Sequence, residues 1–125
     1  MSGGPKLRTW TRTLFPSPSA PAEARWFLWS TAARSDPPEG METAVLLISE
    51  AVSNAVRHGN SGRAIKLTIK RGEGRLRIAV RNEGRFRPRP RRSEVGGWGL
   101  VLMQRLATHW GIEVGETSVE IWFEL

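Results

Sequence analysis

The sequence predicts an α+β fold, a two-layer sandwich in which a mixed, mostly antiparallel sheet packs against helices on one of its faces. Apolar residues recur at helical spacing in three segments, and they alternate with polar residues in two neighbouring segments that are typical of a hairpin. Because the helices are inserted among the strands in the order β, α, α, β, β, α, β, β, this class is favoured. A length of 125 residues is enough for one domain with its own core.

The first half of the chain is predicted to hold one strand and two helices. Residues 7–15 mix apolar with polar side chains, and the Pro-Ser run that follows ends this strand. Pro21 then opens the first helix, which is predicted over Ala22–Ala33. The second helix, Glu39–His58, has a broad apolar face and ends at Gly59, a residue type that helix C-termini favour.

Two hairpins and a third helix are predicted in the second half. In the first hairpin, Ala64–Lys70 and the run around Ile78 alternate apolar with polar residues on either side of a Gly-Glu-Gly turn. A third helix follows at about 99–108. The second hairpin, formed by Ile112–Val114 and Ser118–Leu125, closes the chain.

The composition excludes several kinds of site. The chain has no cysteine, one aspartate and two histidines, so thiolate chemistry, paired aspartates and histidine-rich metal sites are not expected. The N-terminal residues lack the apolar stretch of a signal peptide, and no apolar run approaches the roughly 20 residues that span a bilayer. We therefore expect a cytoplasmic protein that does not contact a membrane.

The positive charge is concentrated in one segment. The formal net charge is +7, and five of the sixteen arginines lie within Arg85–Arg92. A nucleic-acid partner is not favoured, because its binding surface would spread the charge more broadly. The arginine segment belongs to a Pro- and Gly-rich loop, 84–97. It could pair with phosphates, bind an acidic partner protein, or be a basic loop with neither role.

Glu50, Asn54 and His58 follow one another at intervals of four residues on the second helix, and therefore lie on one face of it. A carboxylate beside an amide oxygen can hold Mg²⁺ or orient a water molecule, and Glu50 could act as a general base. Apolar residues, Leu46 among them, are predicted on the packed side. The same spacing also fits a solvated polar stripe with His58 placed favourably at the helix C-terminus.

Two further segments could meet a ligand. Gly96-Gly97-Trp98-Gly99 leads directly into the third helix, whose free N–H groups would favour an anion, although an ordinary glycine loop explains the pattern equally well. The hairpin strand ends in Asn82-Glu83-Gly84, where a polar side chain could reach into a cleft or simply form a turn.

In combination, these segments resemble the GHKL ATP-binding superfamily of gyrase, histidine kinases and MutL. The run ISEAVSNAVRHG at 48–59 is similar to its N box, and the segments at 82–84 and 96–100 stand where its G1 and G2 boxes are expected. The N box looks most like that of bacterial anti-sigma-factor serine kinases. The resemblance covers about 7–125 and implies a single domain, 1–125, with the Bergerat ATP-binding fold and a flexible tail at 1–6.

The resemblance also implies a role for each candidate residue. Glu50 would activate the attacking hydroxyl or water, and Asn54 would bind Mg²⁺ and the phosphates of ATP. Residues 85–96 would form a lid over the nucleotide. The other implied nucleotide contacts are His58 at the pocket edge, Asn82 and Gly84 at the adenine, and Gly97, Gly99 and Leu100 around the phosphates.

This sequence departs from the family pattern in the G1 box. Asn82 stands where the family has an aspartate that accepts a hydrogen bond from adenine, and Phe86 replaces the second glycine. A neutral acceptor weakens such a contact by about 1 kcal/mol.

The function that the resemblance implies is transfer of the γ-phosphoryl of ATP to a serine of an antagonist protein, together with sequestration of a sigma factor. The alternative is a non-catalytic protein-binding regulator with weak nucleotide binding. Family members commonly form homodimers.

Overall fold

The fold was taken from a computed structural model that describes residues 7–58, 63–72, 74–83 and 98–125. The expected tail at 1–6 and the expected lid at 85–96 lie outside the described residues. Within those residues there are five strands and three helices in the predicted order. They are β1 (Arg8–Leu14), α1 (Ala20–Ser30), α2 (Met41–His58), β2 (Ile65–Gly72), β3 (Arg75–Glu83), α3 (Trp98–Leu106), β4 (His109–Val114) and β5 (Ser118–Glu124).

The strands form one sheet in the order β1-β2-β3-β5-β4, and every pairing among the described strands is antiparallel. Ile65, Leu67 and Ile69 are buried while Lys66 and Lys70 between them are exposed, as the alternation predicted. Gly74 turns the chain between β2 and β3 with φ of +73°, a conformation that glycine adopts at little cost. The sheet therefore has one apolar face and one polar face.

The helices cover the apolar face of the sheet, and the core lies between the two layers. From α2 the fully buried side chains include Leu47, Ile48 and Val52, and from the sheet they include Ile78 and Phe123. Leu46 is 40% exposed, so the prediction that it packs inward was wrong. The buried arc of α2 is rotated away from Leu46, since the sheet and α1 contact the opposite side of the helix.

The helix ends differ from the prediction for local reasons. α1 stops at Ser30 rather than Ala33, because Thr31 leaves helical geometry and its hydroxyl donates to the Phe27 carbonyl at 2.6 Å. α2 begins at Met41 rather than Glu39, because Gly40 has φ of +80°, outside the helical region. α3 ends at Leu106, two residues early, because Thr108 N–H donates to the Glu124 carbonyl of β5.

Arg71 at the end of β2 ties the connection between α1 and α2 to the sheet. One guanidinium nitrogen donates to the backbone carbonyls of Ala32 and Asp36, and the other lies 3.4 Å from the Asp36 carboxylate. The Arg71 side chain is 19% exposed, whereas that of Asp36 is 89% exposed. The carbonyl contacts therefore matter more to stability than the solvent-screened ion pair.

Replacing Arg71 with alanine is expected to lower the free energy of unfolding by about 1–2 kcal/mol, because two carbonyls lose a charged donor. The change is measured as the shift of the urea midpoint at constant m-value. Asp36→Asn is the matched control and should change stability by less than about 0.5 kcal/mol. Equal losses of stability in the two variants would show that Arg71 stabilises the fold through the Asp36 carboxylate and not through the two backbone carbonyls.

Candidate functional site

Glu50 and Asn54 lie one turn apart on α2, at the border between its buried and exposed sides. Asn54 is 2% exposed and is the buried polar residue of the described core, whereas Glu50 is half-buried. Each step of four residues rotates about 40° around the helix axis, so the line from Glu50 to Asn54 runs from the solvent edge towards the core. The two side chains can thus present a carboxylate and an amide to the same space.

The amide of Asn54 is held in one orientation by Arg57. The Arg57 Nη2 donates to Asn54 Oδ1 at 3.0 Å. Because a guanidinium can only donate, the amide oxygen must face Arg57, and Nδ2 must face the other way. Sequence reasoning missed Arg57, although its spacing of three residues from Asn54 on a helix was a usable signal.

Asn54 Nδ2 is buried and has no hydrogen-bond partner among the described residues. Leaving such a donor unsatisfied costs about 1–3 kcal/mol of stability. We therefore expect the buried amide nitrogen of Asn54 to bind an acceptor. A phosphate oxygen is an acceptor of the right kind. The adjacent Arg57 adds a positive charge that an anionic ligand would meet.

The donor and acceptor atoms of the same side chains can be compared with those that the phosphates of ATP and Mg²⁺ bind. Asn54 Nδ2, which has no partner among the described residues, is a donor of the kind that a phosphate oxygen accepts from, but it is fully buried, so a phosphate reaches it only if the atoms that cover it move. The Asn54 amide oxygen and the Glu50 carboxylate are the hard oxygen ligands that Mg²⁺ prefers. A carbonyl oxygen has a second lone pair, but a guanidinium 3.0 Å away repels a divalent cation. The donor and acceptor types therefore fit a nucleotide phosphate once Asn54 Nδ2 is uncovered, and they fit the metal once Arg57 turns away from the amide oxygen.

Asn82 lies near the end of β3 on the helix-facing side of the sheet. It is half-buried, and its Cα partners are Ile65 on β2 and Val119 on β5, both buried. Two residues earlier on the same face is Val80, which belongs to the core. Asn82 is thus a polar side chain that follows a row of apolar residues on the face of the sheet that the helices cover.

The remaining predicted site residues are placed only in part. Leu100 is half-buried in the first turn of α3, a helix that packs against α2. Gly99 is a residue of α3 and His58 is the last residue of α2. Gly84 and Gly97 lie outside the described residues. The described residues bring together Glu50 and Asn54, and the nucleotide contacts assigned to the others stay predictions.

The comparisons with known proteins identify a family and a fold. Residues 16–124 match the family model of the histidine kinase-like ATPase domain, and the chain belongs to that family of ATP-binding domains. A comparison with curated proteins gave no match. The fold is also that of solved structures, of which 12 chains match.

One of these is the crystal structure of the RsbU and RsbW domains of Rv1364c from Mycobacterium tuberculosis. The two chains superpose with a TM-score of 0.68 and are 21% identical, and the match covers 94% of this chain and 32% of that one. The chain thus spans about a third of the length of that protein. The likeness confirms the predicted α+β sandwich.

Replacing Asn54 with leucine, which has a similar volume, is expected to raise the free energy of unfolding by about 1 kcal/mol, because the orphaned donor disappears. For a domain of this size the melting temperature should rise by about 3–4 °C. A thermal melt monitored by circular dichroism measures this change.

Arg57→Ala is the control, since it removes the partner of the amide oxygen and should lower the melting temperature. A loss of stability in Asn54→Leu would contradict the account, because it would mean that Nδ2 already has a partner in the unliganded protein.

Proposed function

We propose that the chain binds ATP between α2, the end of β3 and the start of α3, and transfers the γ-phosphoryl group to a serine of an antagonist protein. In this proposal it also sequesters a sigma factor, as the resemblance to anti-sigma-factor serine kinases implies. The observation that carries the proposal is the buried Asn54 Nδ2, which has no partner among the described residues and lies one turn from Glu50, in a chain of the histidine kinase-like ATPase family.

Each side chain of the site has a task in this reaction. Asn54 Nδ2 donates to a phosphate oxygen, and Arg57 offsets negative charge beside it. Glu50 accepts the proton of the serine hydroxyl. The serine oxygen forms a bond to the γ-phosphorus, and the bond between that phosphorus and the oxygen of the leaving ADP breaks. Magnesium would be held by the Asn54 amide oxygen after Arg57 turns away from it, and it would supply further positive charge at the transferring group.

The partners are proposed on two grounds. The N box is most similar to that of anti-sigma-factor serine kinases, whose substrates are antagonist proteins. The fold is shared with a structure that contains an RsbW domain beside an RsbU domain. Both are consistent with a regulator that acts on other proteins rather than on a small-molecule substrate.

A second candidate function is a non-catalytic regulator that binds its partner protein and holds nucleotide weakly. Asn82 and Phe86 favour it, because they replace the aspartate and the second glycine of the G1 box. The loss of the charged acceptor lowers adenine affinity, and the loss of the glycine removes backbone freedom. The two candidates differ in whether phosphoryl transfer depends on Glu50.

Replacing Glu50 with glutamine is expected to slow phosphoryl transfer at least about 100-fold, because the isosteric amide cannot accept the proton. Transfer of label from γ-labelled ATP to candidate antagonist proteins measures the rate. Glu42→Gln is the matched control, since Glu42 is exposed in the first turn of the same helix. A stable complex with no transfer by the unmodified protein would favour the non-catalytic regulator instead.

Replacing Asn82 with aspartate is expected to tighten ATP binding several-fold to about tenfold, because a charged oxygen accepts more strongly from the adenine amino group. GTP, which lacks that amino group at the same position, should gain nothing. Calorimetric titration of both nucleotides, with and without magnesium, measures the affinities. Sub-micromolar ATP affinity in the unmodified protein, with no gain in Asn82→Asp, would refute the weak adenine contact.

A further inference from the structure

The outer edge of β1 is an unpaired sheet edge in the described part of the chain. β1 stands first in the strand order, so it pairs with β2 on one side and with no described strand on the other. Most residues along it are exposed, namely Leu7, Arg8, Thr9, Thr11, Thr13 and Phe15. An accessible edge of this kind can hydrogen-bond to another extended segment through its backbone.

β1 lacks most of the features that keep a sheet edge from pairing. Its seven residues pair one to one with β2 without a bulge, and they include neither proline nor glycine. Threonine at positions 9, 11 and 13 gives the face away from the helices the β-branched side chains that strands favour. The charged residues of the strand are Arg8 and Arg12, which repel a cationic strand and attract an anionic one.

The helix-facing side of β1 holds these two guanidinium groups against aromatic rings. Arg8 lies 5.0 Å from the centroid of the Trp10 ring. Arg12 lies 5.7 Å from the centroid of Trp26 and 5.8 Å from that of Phe27. Arg12 Nε is buried without a hydrogen-bond partner, and neither arginine forms an ion pair within the described residues. The rings therefore restrain two cations whose charge no described carboxylate neutralises.

The neighbourhood of this edge is basic on both faces of the sheet. β1 contributes two cations and β2 contributes three, and neither strand contains an acidic residue. Lys66 and Lys70 of β2 are exposed on the face opposite the helices. Arg71 has an ion pair with Asp36, while the other four cations have none among the residues described. An anionic partner is therefore attracted to this edge from either face.

We propose that β1 binds an extended, acidic segment of a partner protein, which adds a strand to this edge of the sheet. Alternate side chains of the added strand lie on the helix-facing side, next to Arg8, Trp10 and Arg12. The two arginines are four residues apart, which is about 13 Å along a strand. The matching segment therefore has two carboxylates four residues apart, with an apolar residue midway between them opposite Trp10.

Charge favours this occupant over a second copy of the chain. If β1 paired with β1 of another copy, Arg8 and Arg12 would meet like charges, which is unfavourable. β4, at the other edge of the sheet, has one carboxylate, Glu113, and so does not supply two at the required spacing. β2 separates the β1 edge from β3, whose end borders the candidate nucleotide site, so the inference does not rest on the proposed function.

The test uses the full chain and a capped synthetic peptide of about nine residues. Two glutamates stand four positions apart, with valine midway between them and threonine at the alternate positions. Calorimetric titration at low salt is expected to give one-to-one binding that weakens as salt rises. Amide hydrogen exchange should slow at alternate residues of β1 when the peptide binds, because an added strand bonds to alternate backbone groups.

A second peptide of the same composition separates strand pairing from simple charge attraction. Its glutamates stand three positions apart, so they lie on opposite faces of a strand and only one can reach the arginine side. We expect this peptide to bind at least about fivefold more weakly than the first. Equal affinity of the two peptides would overturn the proposal, because the alternation of the strand would then play no part.

Arg8→Glu is expected to weaken binding of the first peptide at least about fivefold, because an attraction becomes a repulsion at an exposed position. Arg105→Glu makes the same charge change at an exposed position of α3 and is the matched control, which should leave the affinity within about twofold. Thermal melts establish that both variants are folded. Equal weakening in the two variants would show that net charge and not the β1 edge determines binding.

Three further results would overturn the proposal. The first is the absence of binding at about 1 mM peptide in low salt. The second is slow exchange of the β1 amides that appears without peptide as the protein concentration rises, which would assign the edge to a second copy. The third is binding of a single-stranded oligothymidylate as tight as that of the acidic peptide, which would assign the basic edge to nucleic acid.

Discussion

The burial of one amide in an otherwise apolar core is the constraint on which the candidate site depends. α2 must pack Leu47, Ile48 and Val52 against the sheet, and this packing carries Asn54 to the edge of the buried arc. There the amide oxygen is satisfied by Arg57 and the amide nitrogen is not satisfied by any described residue. A purely structural residue at this position would be apolar, because an unsatisfied buried donor lowers stability.

Much of the fold was predictable because it follows from local patterning. The alternation in β2 specifies which side chains face the helices, and Gly74 specifies the turn that follows. The ends of elements were less predictable, since they depend on contacts between distant residues. β4 begins at His109 instead of Ile112, because its register is set by pairing with β5, where His109 lies opposite Glu124. No local pattern in the sequence contains that information.

The candidate site was predictable in its residue types but not in its contacts. The four-residue spacing placed Glu50 and Asn54 on one helix face, whichever element packed beside them. That Asn54 is buried, and that Leu46 on the same helix is exposed, depends on where α1 and the sheet lie. Arg57 acts on Asn54 through side-chain geometry, which helical spacing allows but does not require.

The two layers of the domain separate two kinds of chemistry. The helix layer carries the carboxylate and amide of the candidate site, and the sheet face opposite the helices carries the Arg77–Glu124 ion pair beside Trp122. The histidine kinase-like ATPase family supplies the expectation of nucleotide chemistry on the helix side.

The most direct measurement is the side-chain amide resonance of Asn54 in a nitrogen–proton correlation spectrum during titration with ATP. If Nδ2 donates to a phosphate oxygen, this resonance shifts and saturates together with the backbone signals of α2, and ADP produces a smaller effect than ATP. An Asn54 side-chain signal that stays in place while the nucleotide binds would show that this amide is not the phosphate contact.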